Sequence, residues 1–210
     1  MTIELYTYDT PNGRKISVAL EEFDLPYEVK IVDLGKREQF DADFLAISPN
    51  GKIPALIDPE GPAGQRITVF ESGAILLYLA EKTGRFLPAT LAERVTVYEW
   101  LMWQVGGFGP APGQVHHFLA LPEGPARDYG LKRFSSETRR LYRVLDERLA
   151  GREFVATAGE PSIADFAILG WAWRHERHEV SFADLPNVAA WYERMMARPA
   201  VQRGFEVALA

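Results

Sequence analysis

Asn50-Gly51-Lys52-Ile53-Pro54-Ala55-Leu56-Ile57-Asp58 and, beyond a turn, Ile67-Thr68-Val69-Phe70-Glu71-Ser72-Gly73 decide how this chain folds. Ile53 to Ile57 reads as a strand with a proline near its start, where a missing N–H is tolerated. Asp58-Pro59-Glu60-Gly61-Pro62 is a turn cluster. Ile67 to Phe70 reads as the next strand. Glu71-Ser72-Gly73 then opens a helix that runs through Lys82 and stops at Gly84.

Toward the N-terminus, Ile3, Leu5 and Thr7 alternate with Glu4 and Tyr6, the period of a short strand. Past Thr10-Pro11-Asn12-Gly13 the period changes. Ile16, Ala19, Leu20 and Phe23 recur at helical spacing and predict one buried stripe, limited by Pro26. Tyr27, Val29 and Ile31 share one face of a further strand, and Phe44-Leu45 suggests a short linking helix. The order is β-α-β, a linker, then β-β-α, an α/β unit over residues 1–84.

Strand-like alternation stops after about residue 85. Residues 92–118 read as helix broken at Gly106, Gly107, Gly109, Pro110 and Pro112. Leu131, Phe134, Leu141 and Leu145 mark a long amphipathic helix ending at Gly151. Ser162-Ile163-Ala164-Asp165 resembles a capping box, and Val188, Trp191 and Met195 give a last helix before Pro199. An all-helical unit over 89–210 follows, joined through Gly84-Arg85-Phe86-Leu87-Pro88.

Composition narrows the chemistry. The 210 residues are 47% hydrophobic and 25% charged, ordinary for a globular chain. A net charge of −6 gives no overall attraction for nucleic acid, so an anionic ligand needs local lysines or arginines. No apolar run reaches membrane-spanning length. The N-terminus lacks the basic and apolar regions of a secretory signal, and the expected location is cytoplasmic. The chain has no cysteine, which removes disulfides, thiolate zinc sites and a cysteine nucleophile.

The pieces together resemble the glutathione transferase superfamily, in which a thioredoxin-like domain precedes an all-α domain. The matching text is Thr10 to Lys15, Asn50 to Pro54, Phe70 to Gly73 with Glu81-Lys82-Thr83, Trp103 to Gly107 and Gly113 to Phe118. It is most similar to the bacterial Nu class of disulfide-bond oxidoreductases. The resemblance implies a cis bond before Pro54, a γ-glutamyl site at Glu71 and Ser72, and β-like pairing of the cysteinyl unit with Ile53. It also implies Lys52 and Gln39 at the glycyl end, Lys15 as a further contact, and Arg133 reaching the glutathione of a partner subunit in a homodimer. Thr10 and Asn12 take the place of the catalytic Tyr, Ser or Cys of other classes.

Residue chemistry fits those roles and also blander ones. Asn12 and Thr10 can donate to a sulfur anion without abstracting its proton. An Asn-Gly turn beside a threonine is equally common. Ser72 reads alternatively as a helix cap, Lys52 and Gln39 as surface polarity, and Arg133 as a partner for Glu137 at i+4. Tyr6 and Tyr8 rival Thr10 and Asn12 for the thiol. His175 and His178 lack a metal-protease spacing, and no metal is expected. Tyr98, Trp100 and Trp103 fit core packing or an electrophile pocket.

Without its own thiol the protein must work on ligand sulfur. The expected activity is glutathione-dependent reduction of a disulfide, with two glutathione molecules or glutathione disulfide in one site. The alternatives are conjugation of glutathione to apolar electrophiles and a non-catalytic glutathione-binding module.

Overall fold

The computed structural model describes residues 2–207, which form two compact units. The first centres on a four-stranded mixed sheet in the order β2-β1-β3-β4. Its strands are β1 (Ile3–Thr7), β2 (Tyr27–Ile31), β3 (Ala55–Asp58) and β4 (Ile67–Phe70). β1 runs parallel to β2 and antiparallel to β3, and β3 pairs antiparallel with β4. The alternation in β1 puts Ile3, Leu5 and Thr7 in the core, and all four residues of β3 are buried. β2 lies at an edge, which leaves Ile31 exposed. Three helices complete the run: α1 (Pro11–Phe23), α2 (Ala42–Leu45) and α3 (Ser72–Thr83), the last closed by Gly84 in the left-handed region.

α1 departs from its expected single stripe. Arg14, Lys15, Ser17 and Glu22 are buried along with the apolar residues. The cause lies at the other end of the chain. By contacts, residues 88–195 form the second unit, and residues 196–207 pack on the first. There α9 (Pro199–Glu206) lies on α1 so closely that a Cβ at Gly204 would sit 2.5 Å from Val18 Cα. Ser17 Oγ donates to Gly204 O at 2.8 Å, and Arg14 Nη1 to Phe205 O and Val207 O at 2.8 and 2.9 Å. Arg198 meets Glu22 with two bonds. Polar groups inside the interface are thus paired, as burial demands.

The second unit contains α4 (Leu91–Trp103), α5 (Pro110–Leu119), α6 (Pro125–Leu149), α7 (Ile163–Ala172) and most of α8 (Pro186–Met196). The glycine and proline break between α4 and α5 is a π-helical turn, Gln104–Phe108, rather than an open loop. α7 is buried on every side. Asp165, in its first turn, accepts from Ser162 N, Ser162 Oγ, Val155 N and Trp191 Nε1 at 2.8 to 3.0 Å. These four bonds offset part of the burial that raises its carboxyl.

Behind α7, His178 shares a 3.1 Å hydrogen bond with the Tyr142 hydroxyl, and the ring of His116 lies 4.9 Å from that of His178. Burial, reinforced by Arg174 and Arg177, pushes His116 down to about 4; burial, with its histidine and arginine neighbours, pushes His178 down to about 3. Their unfolded values lie near about 6.5. Stability from these neutral rings is therefore complete above about pH 6.5 and is lost as pH falls toward 4 and 3. The melting temperature should drop across that window, and His178→Phe should flatten the profile. A wild-type melting temperature constant from pH 7 to 4 would contradict it.

Candidate active site

Sheet register gathers one end of the first unit. Tyr6 faces Ala55, and Ala55 faces Phe70. The C-terminal ends of β1 and β4 and the N-terminal end of β3 therefore coincide. From that end leave the Thr10 turn, the Ile53-Pro54 segment and the Glu71-Ser72 turn.

Thr10 caps α1 with extended backbone angles, and its Oγ1 accepts from Gly13 N at 3.0 Å. That bond uses a lone pair and leaves the hydroxyl proton to donate. Pro11 follows at the first helical position, and Asn12 next, within the first turn where N–H groups lack helical partners. The turn is held from below. Thr10 N donates to Tyr8 O at 2.8 Å, and the Arg14 guanidinium meets Asp9 at 2.9 Å. Gly13 allows the close approach, since a Cβ there would lie 2.3 Å from Tyr8 O and 2.5 Å from Thr7 Oγ1. The Asn-Gly pair is thus part of a capped helix start, not a free turn.

The Ile53–Pro54 peptide bond is cis. Lys52 beside it is exposed. Its carbonyl accepts from Ser48 Oγ at 2.8 Å. Gly51, at φ 61°, packs on Gln39 and Phe40, which brings Gln39 and Lys52 together. Gln39 Oε1 is buried without a protein partner. Such an orphaned acceptor costs stability until a donor arrives, and a ligand amide N–H would fit it.

Glu71 caps α3 at φ 71° and ψ 119°, a strained conformation for a residue with a Cβ, and its side chain makes no cap bond. Ser72, the first residue of α3, is 8% exposed and accepts from Lys15 Nζ at 3.2 Å. One contact thus ties the first turns of two helices. Burial drives the Lys15 amine down to about 7, with Glu71 acting in the opposite direction.

Nine of the ten predicted binding or thiol residues therefore lie in the first unit. Arg133 is on α6 in the second, exposed in an open groove of about 660 Å³ with Tyr129, Lys132, Arg139 and Arg143. Its predicted partner Glu137 is held instead by Arg140 through two bonds of 2.8 and 2.7 Å. The Tyr6 hydroxyl donates to the Glu4 carboxylate at 2.8 Å, and burial with that bond raises its pKa. Trp100 and Trp103 pack edge to face at 5.0 Å, and Trp103 stacks on Phe108. His175 Nδ1 meets Val180 O, and no group of three or more His, Asp or Glu among the described residues is placed to hold a metal. Gly13 and Gly51 stand in the quoted strings with no role of their own assigned, although glycines beside candidate residues signal close approach.

The result is a thioredoxin-like unit carrying two helix N-termini, buried and exposed lysines, and an unpaired amide oxygen at one end of its sheet, together with a helical unit. The glutathione S-transferase N-terminal domain model matches residues 1–81, and the C-terminal domain model matches residues 122–199. The chain belongs to the glutathione S-transferase family. It is 49% identical over 202 residues to the disulfide-bond oxidoreductase YfcG of Escherichia coli, covering 94% of this chain and 92% of that protein. A glutathione transferase family member from Pseudomonas fluorescens, solved with two glutathione bound, superposes with a TM-score of 0.92 at 40% identity, covering 99% and 93% of the two chains. One from Pseudomonas putida, with one glutathione disulfide per subunit, gives 0.89 at 41% identity over 98% and 91%.

Gly13→Ala should push the Thr10–Asn12 turn away from β1. Glutathione affinity should fall at least about tenfold while the circular dichroism spectrum persists, because overpacking shifts backbone locally. Unchanged affinity by calorimetry would show that the close approach is dispensable.

Proposed function

We propose that the protein is a glutathione-dependent disulfide-bond oxidoreductase of the Nu class, with the reactive sulfur supplied by glutathione. The observation that carries this is the Lys15–Ser72 contact, which brings the starts of α1 and α3 together in a chain with no cysteine. The start of α3 receives the γ-glutamyl carboxylate on the Ser72 hydroxyl and backbone N–H, with Glu71 toward the ammonium. Ile53 pairs with the extended cysteinyl unit, and Gln39 and Lys52 take the glycyl end. The sulfur then falls to the start of α1.

Thr10 and Asn12 favour its anion. A thiol ionises near about pH 8.5 in water, and donors with a helix N-terminus lower that value. The thiolate attacks one sulfur of the substrate disulfide, forming a mixed disulfide and releasing the other half as a thiolate. A second glutathione thiolate attacks the mixed disulfide, releasing the substrate thiolate and glutathione disulfide. Electrons pass from two glutathiones to one disulfide, and no protein sulfur is needed.

The working form is a homodimer. α4 exposes Leu91, Val95 and Met102 at spacings of one helical stripe, an apolar face suited to a second copy of the chain. Arg133 in its basic groove then serves the glutathione of the partner subunit. The cell compartment is cytoplasmic, in keeping with substrates that need glutathione.

Turnover of a small dialkyl disulfide with glutathione should exceed background, and conjugation of a halogenated aromatic should be slower. The reverse order would make the protein a conjugating transferase. Asn12→Ala should raise the pKa of bound glutathione, read from thiolate absorbance; an unchanged value would remove Asn12 from the thiol site. Arg133→Ala should weaken glutathione binding about tenfold or more, the scale of one lost charge-assisted contact. Equal affinity in a calorimetric titration would leave Arg133 a surface charge.

A further inference from the structure

α1 carries two buried cations with different fates. Arg14 is committed to Asp9 and to the carbonyls that end α9. Lys15 is 2% exposed and directs Nζ to Ser72 Oγ at the start of α3. Because Glu71 does not cap α3 with its side chain, the ammonium, the Ser72 hydroxyl and the first-turn N–H groups gather at one helix end. That is an assembly for a carboxylate, with one donor held in place by the protein interior.

We propose that Lys15 is the positioning residue for the γ-glutamyl carboxylate and that docking of glutathione loads a proton onto its amine. The inference rests on the glutathione reading above and adds a proton to the binding reaction.

The surrounding charges decide the sign. From α3 the facing carboxylate is Glu71, which is exposed to solvent. The β1–α1 turn carries Asp9, closed onto Arg14. Arg198, which precedes α9, and Arg203 on it are closed onto Glu22 and Glu21 farther along α1. Burial outweighs Glu71 and brings the amine to about 7. A carboxylate arriving at Ser72 adds an opposite charge beside the amine and stabilises its ammonium form. Well below pH 7 the ammonium is already present and affinity is flat. Above it, each binding event must bring in a proton, and affinity falls about tenfold per pH unit until the bound-state value is reached.

S-methylglutathione is the suitable probe, since its blocked sulfur cannot release a proton. Its binding should be titrated calorimetrically at pH 7.5 and 8.0 in phosphate and in Tris, whose ionisation heats differ. The wild-type protein should show buffer-dependent heat equivalent to uptake of about half a proton or more, and weaker binding at the higher pH. Lys15→Met should bind more weakly at pH 6.5 and show no buffer dependence. Lys15→Arg keeps the charge, and should bind without proton uptake at every pH tested; it decides the matter where Lys15→Met does not fold. Wild-type binding with buffer-independent heat overturns the proton coupling while leaving the glutathione site intact. No wild-type binding of S-methylglutathione, glutathione or glutathione disulfide overturns both.

Discussion

A helix starts with N–H groups that its own turns cannot pair, and this chain brings two such starts to one end of one sheet. The rest of the first unit serves that arrangement. β1 and β4 deliver α1 and α3 to the same edge of the fold, β3 runs between them, and Lys15 bridges the two first turns through Ser72. A net charge of −6 would repel an anionic tripeptide at long range, so attraction must be local. Fixed backbone dipoles and a few lysines can supply it without altering the overall balance.

Much of this was legible in the residues. The strict alternation of Ile3, Leu5 and Thr7 with Glu4 and Tyr6 matches the observed burial of β1 because an inner strand has a fixed period. The helix ended by Gly84 and the Ser162–Asp165 capping box were readable from local chemistry alone. The depth of Lys15 was not. Lysine within an amphipathic pattern reads as solvent-facing, and only the arrival of α3 and α9 from distant sequence closes the space around α1. Periodicity reports one face of a helix; it does not report how many elements later cover the others. Tyr6 illustrates a smaller gap. Its spacing from Glu4 already put both on one face, but that the two side chains pair needed coordinates.

The missing cysteine alters what the scaffold must do. A protein with its own redox pair must hold that pair at a useful potential. Here the sulfur arrives and leaves with the ligand, so the protein contributes docking, orientation and a preference for the anion. The Thr10 hydroxyl has two capacities: its oxygen secures Gly13 N at the helix start, and its proton is left to donate. The same economy explains why small residues matter at the site. Gly13 and Gly51 contribute no side chain, and each lets its chain segment come within contact distance of its neighbour.

The seating of α9 on α1 also bears on how the molecule is made. A ribosome emits residues 2–87 early, but the helix that covers Val18 and accepts Arg14 emerges only after the whole of 88–195. Nascent α1 must therefore wait with its buried-side polar groups in water until α9 has been made. Translation order and domain order differ here: the unit encoded first is completed only after the second has been made.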